Sequence, residues 1–307
     1  MMARDHGGPW QNTNEIKDNL NLDKAIESAK KSFSCDIKND FSFIHIDTSI
    51  DIFKKKLKVD ESLKRIFEFY EFCYKISKEN NKEILFEIGT EEQSGSTNTF
   101  EELEYVLQKM NGYTKKKNLP KLNFIVIQSG TKVMERKNIG SFEAPIRVEN
   151  EIPVEIQLLK MIEICNKNKV YMKEHNADYL TNESLSWHPR LGIHSANVAP
   201  EFGVCETVNI VENLRKNKMK DLLNEFIYLC VKSKKWEKWA INKNEITDLE
   251  KTLICGHYLF SNPEFLKIKK ELSYFLKKKK IDLDKLLKNE IKKSIKRYMK
   301  NFRLINA

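Results

Sequence analysis

The sequence predicts an α/β fold with a parallel sheet, followed by a helical extension at the C-terminus. Short apolar or β-branched segments alternate with segments whose apolar residues recur every three or four positions. Such alternation implies parallel strands joined by right-handed crossovers, in an open doubly wound sheet or in a closed barrel. Nearly every strand candidate also ends in a polar residue, which favours a (β/α)8 TIM-type barrel, because its active site lies at the carboxyl ends of the strands.

The elements follow one another in a regular order. The chain opens with MMARDHGGPW, where an acid and an imidazole before two glycines suggest the end of a strand turning into a loop. The further strand candidates are 41–50, 83–92, 122–130, 169–179 and 192–202. The helices predicted around them are 22–33, 61–80, 99–116, 153–168 and 206–218. Thr99 and Glu102 form a capping-box pattern at the start of one helix.

The second half of the chain changes character. After about residue 219 helical sequence continues without a further strand candidate. We therefore expect residues 1–218 to form the barrel part and residues 219–307 to form a helical extension. Five aromatic residues are expected to pack this extension against the barrel or against a partner: Trp236, Trp239, Tyr258, Phe260 and Phe265.

Composition limits the classes of function. The 307 residues are 40% hydrophobic, which is enough for a substantial core, and the six cysteines are scattered without a C-x-x-C pair. No apolar run approaches the roughly 20 residues that span a bilayer, and the N-terminus has no signal-peptide core, so we expect a cytoplasmic protein. The net charge of +10 comes from lysines found along the whole chain. We interpret it as a solvated surface, because no nucleic-acid-binding motif accompanies it.

Four of the six histidines fall in or just after predicted strands: His6, His45, His175 and His194. A single strand histidine is more often a core residue than a ligand, but four on different strands favour a shared site. Several carboxylates and amides also follow strands: Asp5, Asp47, Glu91, Gln128, Asp178 and Asn197. Converging strand ends would bring imidazoles and carboxylates together, a ligand set suited to zinc or a similar divalent ion. His188 and His257 lie in helical or loop sequence and are interpreted as structural.

Six segments in the same order carry a resemblance to a known family. They are DHGGPW, IHIDTS, EIGTEE, a strand ending in Gln, EHNADY and a G-x-H…APEFG segment, and GHYLFSNPEF follows in the tail. Together they resemble the so-called non-catalytic subunits of class II tagatose-bisphosphate aldolases (GatZ/KbaZ-like). Any one of these motifs is weak, whereas six in register over almost the whole chain are strong. Two segments differ from the family's sequence at the corresponding positions: Gly7-Gly8-Pro9-Trp10 and Asn176-Ala177. The substrate preference therefore stays open.

The resemblance implies an incomplete barrel. Members of the family carry two further strand–helix units before the segment that corresponds to Asp5-His6. MMAR is then the third barrel strand, and the first two units are absent. A late start codon, a split gene or a family with a shorter barrel would each account for this. The first and last strands would present unpaired edges, so we expect association with other chains.

The resemblance also implies site roles. Related catalytic class II aldolases hold zinc through histidines, while an aspartate beside the first histidine exchanges a proton with the cleaved hydroxyl. Asp5 is thereby the first catalytic candidate. The further catalytic candidates are Asp47, Glu91 and Asp178. The metal candidates are His6, His175 and His194, with Glu91 as an alternative third ligand. The substrate-binding candidates are Arg4, His45, Gln128 and Asn197; Arg190 is an alternative to Arg4 as a phosphate partner.

Two functions follow from this reading. The family name implies an accessory subunit that supports the activity and stability of a catalytic class II aldolase subunit in carbohydrate metabolism. The alternative is a metal-dependent ketose-bisphosphate aldolase in its own right, with Asp5, His6 and His175 at the site. The expected partners are a catalytic subunit or further copies of the chain, together with a sugar phosphate, and neither nucleic acid nor a membrane.

Overall fold

The computed structural model describes residues 1–54, 57–89, 99–128, 130–140, 142 and 154–305. Its strands are β1 (Met2–Gly7), β2 (Phe41–Asp47), β3 (Leu85–Gly89), β4 (Phe124–Ile127), β5 (Val133–Met134), β6 (Lys137–Asn138), β7 (Tyr171–Glu174) and β8 (Ser195–Ala196). The first helices are α1 (Thr13–Lys17), α2 (Leu22–Lys38), α3 (Val59–Glu79), α4 (Phe100–Lys117) and α5 (Val154–Asn168). The later ones are α6 (Asn182–Leu191), α7 (Pro200–Lys216), α8 (Lys220–Ser233), α9 (Asp248–Cys255), α10 (Pro263–Lys278) and α11 (Leu283–Asn301).

The chain forms two compact units that interleave along the sequence. The first comprises Met1–Gly130, Arg147–His175 and Gly192–Ala196, and the second comprises Thr131–Ile146, Asn176–Leu191 and Asn197–Ala307. The division predicted at residue 218 stays a prediction. Among the described residues, no helix combines the length and the apolar character needed to cross a bilayer.

The first unit is built on a six-stranded parallel sheet in the order β1-β2-β3-β4-β7-β8. The predicted α/β class and the parallel sheet are thus confirmed, while the incomplete (β/α)8 barrel stays a prediction. One face of the sheet is mainly apolar, and α2, α3 and α5 pack on its strands. Residues such as Ile44, Ile46, Phe86, Ile88 and Ile125 are almost completely buried in this core.

The opposite face, which we call the polar face, follows from the register of the strands. His45 lies beside Glu87, Asp47 beside Gly89, and Val126 beside Lys173. Because side chains alternate between the faces, these neighbours point to the same side. At the beginning of the strands this side carries aromatic rings, with Phe43 and Phe124 5.4 Å apart. The strands therefore run from an aromatic layer towards charged and polar side chains.

The strand predicted over 192–202 is too long. Only Ser195–Ala196 pairs with β7, and helix α7 begins at Pro200. Proline is well suited to the first helical position, since its fixed φ matches the helix and its missing N–H is not needed there. Helices α1 and α6 and the hairpin of β5 and β6 were not predicted.

The second unit has a helical core. Phe226, Trp236, Phe265, Leu272 and Leu276 are buried in it. Three further aromatic residues that the sequence analysis singled out, Trp239, Tyr258 and Phe260, pack against this core while half-buried. All five aromatic residues thus pack in or against the helical core of this unit, and their expected packing against the barrel or a partner stays a prediction.

Candidate functional site

The end of β1 is shaped by two glycines. The pairing of β1 with β2 shifts in register between Arg4 and Gly7, and His6 adopts a positive φ of 46°. A Cβ on Gly7 would lie 2.4 Å from the Phe33 ring, and a Cβ on Gly8 would lie 1.9 Å from the Asp47 carbonyl oxygen. Only glycine permits this approach of the two strand ends. The Asp-His-Gly-Gly segment thereby holds Asp5 and His6 against the end of β2.

The polar side chains near the strand ends form a group that we call the cluster: Asp5, His6, His45, Asp47, Glu87, Gln128, Lys173 and His175. Within it, His6 and Asp47 form a close pair. His6 Nδ1 lies 2.6 Å from Asp47 Oδ2, which also accepts a hydrogen bond from Gln11 Nε2 at 2.8 Å. The backbone N–H of Ser49 donates to the other carboxylate oxygen of Asp47. Burial opposes ionisation of Asp47, but the hydrogen bond from His6 and the nearby imidazole charges outweigh it, so the pKa of Asp47 lies below its usual value. Asp47 is an ionised acceptor that orients the His6 ring.

A second group consists of Asp5, His45 and Glu87. His45 Nδ1 lies 3.4 Å from Asp5 Oδ1 and 3.4 Å from Glu87 Oε1. One possible ligand atom from each residue lies within 4.8 Å of the others, as a bound metal ion requires. Burial opposes ionisation of Asp5, but the hydrogen bond with His45 and the surrounding positive groups outweigh it and lower the pKa of Asp5. This group offers two carboxylates and one imidazole to a common point.

Two atoms of this group have no hydrogen-bond partner among the described residues. His45 Nε2 and Glu87 Oε2 are both buried, and the two side chains are 0% exposed. In the tautomer that carries its proton on Nδ1, His45 donates to Asp5 Oδ1, and the lone pair of Nε2 is left for a ligand. A buried polar atom without a partner costs about 1–3 kcal/mol. The donor set therefore fits a ligand that would satisfy these atoms, and a metal ion is one such ligand.

Glu87 also binds Lys173, and sequence reasoning missed both residues. Lys173 Nζ lies 2.7 Å from Glu87 Oε1, and its side chain is 11% exposed. Both stand in the middle of buried strands, in EILFEIG and VYMKEH, whereas polar residues were expected at the strand ends. The sequence signal for both residues is a charged side chain inside an otherwise apolar strand. Such a side chain indicates a buried partner, because charged side chains are rarely buried without one.

His175 and Gln128 extend the cluster along the strand ends. His175 Nδ1 lies 2.9 Å from Gln128 Oε1, and the rings of His6 and His175 are 5.9 Å apart. Burial and the nearby His6 lower the pKa of His175 to about 4. His175 is therefore a neutral imidazole at pH 7, the form in which histidine ligates metals.

Two candidates of the first unit lie elsewhere, and one lies outside the described residues. Arg4 points to the helix side of the sheet, where it forms an ion pair with Asp36 at 2.6 Å and a hydrogen bond with Ser32. His194 packs on the ring of Tyr171 at the beginning of β7, whereas His175 follows its end. The structure thus does not bring Arg4 or His194 to the cluster. Glu91 belongs to the part of the chain that the structure leaves undescribed.

Asp178 and Asn197 belong to the second unit. Asp178 Oδ1 accepts hydrogen bonds from the backbone N–H groups of Ala199 and Glu201 at the start of α7. Burial raises the pKa of Asp178 to about 7, although these hydrogen bonds act against the shift. The Asn197 carbonyl accepts the N–H of Ala177. These contacts account for Asp178 as a helix cap, and they lend no support to its predicted catalytic role.

Fold and cluster together define a class: an α/β protein whose parallel strands carry carboxylates, imidazoles and one ammonium on a polar face. No protein-family model matches the chain, and no curated protein matches its sequence. Solved structures do match its fold. A probable tagatose 6 phosphate kinase from Sinorhizobium meliloti 1021 aligns with 98% of this chain and 82% of its own, at a TM-score of 0.75 and 14% identity.

A second solved structure is the fructuronate-tagaturonate epimerase UxaE from Cohnella laeviribosi. In one of its glycerol complexes it aligns with 98% of this chain and 75% of its own, at a TM-score of 0.59 and 12% identity. At such identities the likeness establishes a shared fold and no shared activity. The names of both proteins belong to sugar metabolism.

Proposed function

We propose that the chain binds a divalent cation at Asp5, His45 and Glu87 and uses it to act on a small sugar or sugar phosphate as a carbon–carbon lyase of the class II aldolase type. The observation that carries this proposal is the pair of buried, unpartnered atoms, His45 Nε2 and Glu87 Oε2, within a donor set that converges. Two carboxylates and an imidazole suit zinc and manganese among the divalent ions.

The similarity to named sugar-metabolism proteins supports the substrate class. Breaking a bond next to a carbonyl leaves negative charge on the carbonyl oxygen, and a divalent cation supplies a Lewis acid for that charge. Aldol cleavage and epimerisation next to a carbonyl share this need. We extend the proposal to the fold: the six parallel strands belong to a (β/α)8 barrel, with the cluster at the carboxyl ends of its strands.

The other side chains of the cluster have separate roles in proton transfer and substrate binding. Asp47 holds His6 through Nδ1, so a proton that His6 exchanges with the substrate moves through Nε2. The ionised Asp47 stabilises the imidazolium form of His6 after proton transfer. Asp5 is more exposed than the buried acids of the cluster, with a side chain 54% exposed, and so lies where a substrate arrives. His175 and Gln128 hold each other and present neutral polar groups to substrate hydroxyls.

A second candidate function is the accessory subunit that the sequence resemblance implies. The ammonium of Lys173 favours it, because this group already compensates the charge of Glu87 without a metal. In that case the cluster is a stabilised polar network, and the chain supports a catalytic aldolase subunit.

The test is a calorimetric titration of metal-free protein with Zn²⁺ and with Mn²⁺. The wild type should bind one equivalent, and His45→Ala and Glu87→Gln should each weaken binding by more than roughly 10-fold, the lower limit for changes around a metal site. His194→Ala is the matched control, since this histidine lies at the other end of β7, and it should bind as the wild type does.

Activity then separates the two functions. Metal-dependent cleavage of a ketose bisphosphate by the isolated chain supports the lyase. Activity that appears only after mixing with a catalytic class II aldolase subunit supports the accessory role. Absence of metal binding by the wild type would refute the metal site.

A further inference from the structure

Lys173 forms an ion pair with Glu87, the same carboxylate that the proposed metal site uses. The two charges are 2.7 Å apart, and Glu87 is completely buried. A buried carboxylate is stable only with a compensating charge. In the metal-free protein Lys173 supplies that charge.

The ammonium also influences the rest of the donor set. Lys173 contributes to the lowered pKa of Asp5, so its charge acts on both carboxylates of the group. A divalent cation held by Asp5, His45 and Glu87 would bind the same two carboxylates. It would therefore lie within a few ångströms of the Lys173 ammonium. Two cations at such a distance repel each other strongly in a buried environment. The metal ion and the Lys173 ammonium therefore weaken each other's binding to the Glu87 carboxylate.

We propose that Lys173 is a built-in competitor for the metal site: it pairs with Glu87 in the metal-free protein, and a divalent cation displaces it. This inference rests on the proposed function, because it concerns the same donor set. Lys173 is then a positioning residue that sets metal affinity. Its displaced ammonium is a cation on the polar face, available to a phosphate or carboxylate group of a sugar substrate.

The experiment compares Lys173→Met with the wild type and with Lys173→Arg, which retains the charge. Each metal-free protein is titrated with Mn²⁺ by calorimetry. Methionine has a similar length without a charge, so it should raise the affinity for Mn²⁺ by at least roughly 10-fold, because the repulsion disappears. Lys173→Arg should stay within a few-fold of the wild type.

Thermal unfolding gives a second readout that a merely structural lysine would not produce. With a chelator present, Lys173→Met should melt below the wild type, since Glu87 is buried without a counter-ion. Saturating Mn²⁺ should then raise its melting temperature by more than it raises that of the wild type. A metal-induced rise equal to that of the wild type would contradict the competition.

The outcomes separate this inference from the proposed function. Wild type and Lys173→Met that bind Mn²⁺ equally would overturn the inference and leave the metal site intact. Absence of binding by both proteins would overturn both. Binding by Lys173→Met alone would support the competition and would indicate that the lysine has replaced the metal in the natural chain.

Discussion

At the scale of single residues, the cluster depends on how closely two strand ends approach. Gly7 and Gly8 leave no room for a Cβ, and the approach they permit places His6 beside Asp47. The sequence pattern showed that an acid, an imidazole and two glycines adjoin. It could not show that the second glycine faces the Asp47 carbonyl, because that contact spans almost forty residues of chain.

Gly8→Ala should therefore destabilise the protein by about 1–3 kcal/mol, the usual cost of inserting a methyl group into a packed site. Urea denaturation measures the change. Gly112→Ala is the matched control, since a Cβ there meets no atom within 4 Å and the residue lies inside α4. The control should stabilise the protein by about 0.5–1 kcal/mol, because alanine is the better helix former. Equal effects of the two substitutions would refute the role given to Gly8.

His175 makes stability depend on pH. Its folded-state pKa is about 4, against 6.5 for an ordinary histidine, so the unfolded chain binds the proton first as the pH falls. Stability is thus lost between about pH 6.5 and pH 4, by at most roughly 3 kcal/mol from this residue. The pKa of Asp178, raised from 3.8 to about 7, acts with the opposite sign throughout this range.

The contribution of His175 is therefore measured as a difference between two proteins. His175→Asn keeps an N–H donor near Gln128 and does not titrate. Its free energy of unfolding should fall less than that of the wild type between pH 6.5 and pH 4. Identical pH profiles in urea denaturation would show that His175 is not held neutral by the fold.

At the scale of elements, strands and helices with a clear period were predictable and special contacts were not. Helix α2 begins at Leu22, as predicted, because Asn21 caps it and its apolar residues recur at helical spacing. The strand over 192–202 was overextended because Ile193 and Val198 suggest a strand. Pro200 and the Asp178 cap end it early, and the cap comes from a residue more than twenty positions upstream.

The last two helices carry the net charge of the chain. Residues 261–307 hold 15 Lys or Arg and 5 Asp or Glu, and the 260 residues before them hold 39 of each. Lysines occur along the whole chain, and this concentration near its end was not predicted. On α11, Lys288, Lys292 and Lys296 are exposed at a spacing of four, which makes like charges neighbours on one face.

Salt should therefore stabilise this part of the protein. Raising NaCl from low concentration to about 0.5 M screens repulsion between exposed lysines and should raise the melting temperature. The double substitution Lys288→Glu and Lys292→Glu should reduce the gain, because it removes the repulsion itself. The double substitution Lys31→Glu and Lys121→Glu, on exposed sites outside these helices, serves as control. A melting temperature that falls with salt would show that attractive ion pairs dominate.

At the scale of the whole molecule, the α/β class and the parallel sheet were predictable because the alternation of strand and helix is local. The candidate site was predictable in part: Asp5, His6, His45, Asp47, Gln128 and His175 are brought to one region of the sheet. Glu87 and Lys173 were missed, since their role depends on the register of four strands, β2, β3, β4 and β7. Register is set by the packing of the completed sheet, and a single strand does not reveal it.

The central claim is that Asp5, His45 and Glu87 bind a divalent cation. The most direct measurement is a crystal structure of the protein grown with Mn²⁺, with an anomalous difference map at the manganese edge. We expect one peak about 2.0–2.3 Å from a ligand atom of each of these three residues, as carboxylate and imidazole ligation requires. A peak held by His6 and His175 instead, or no peak within the cluster, would contradict the claim.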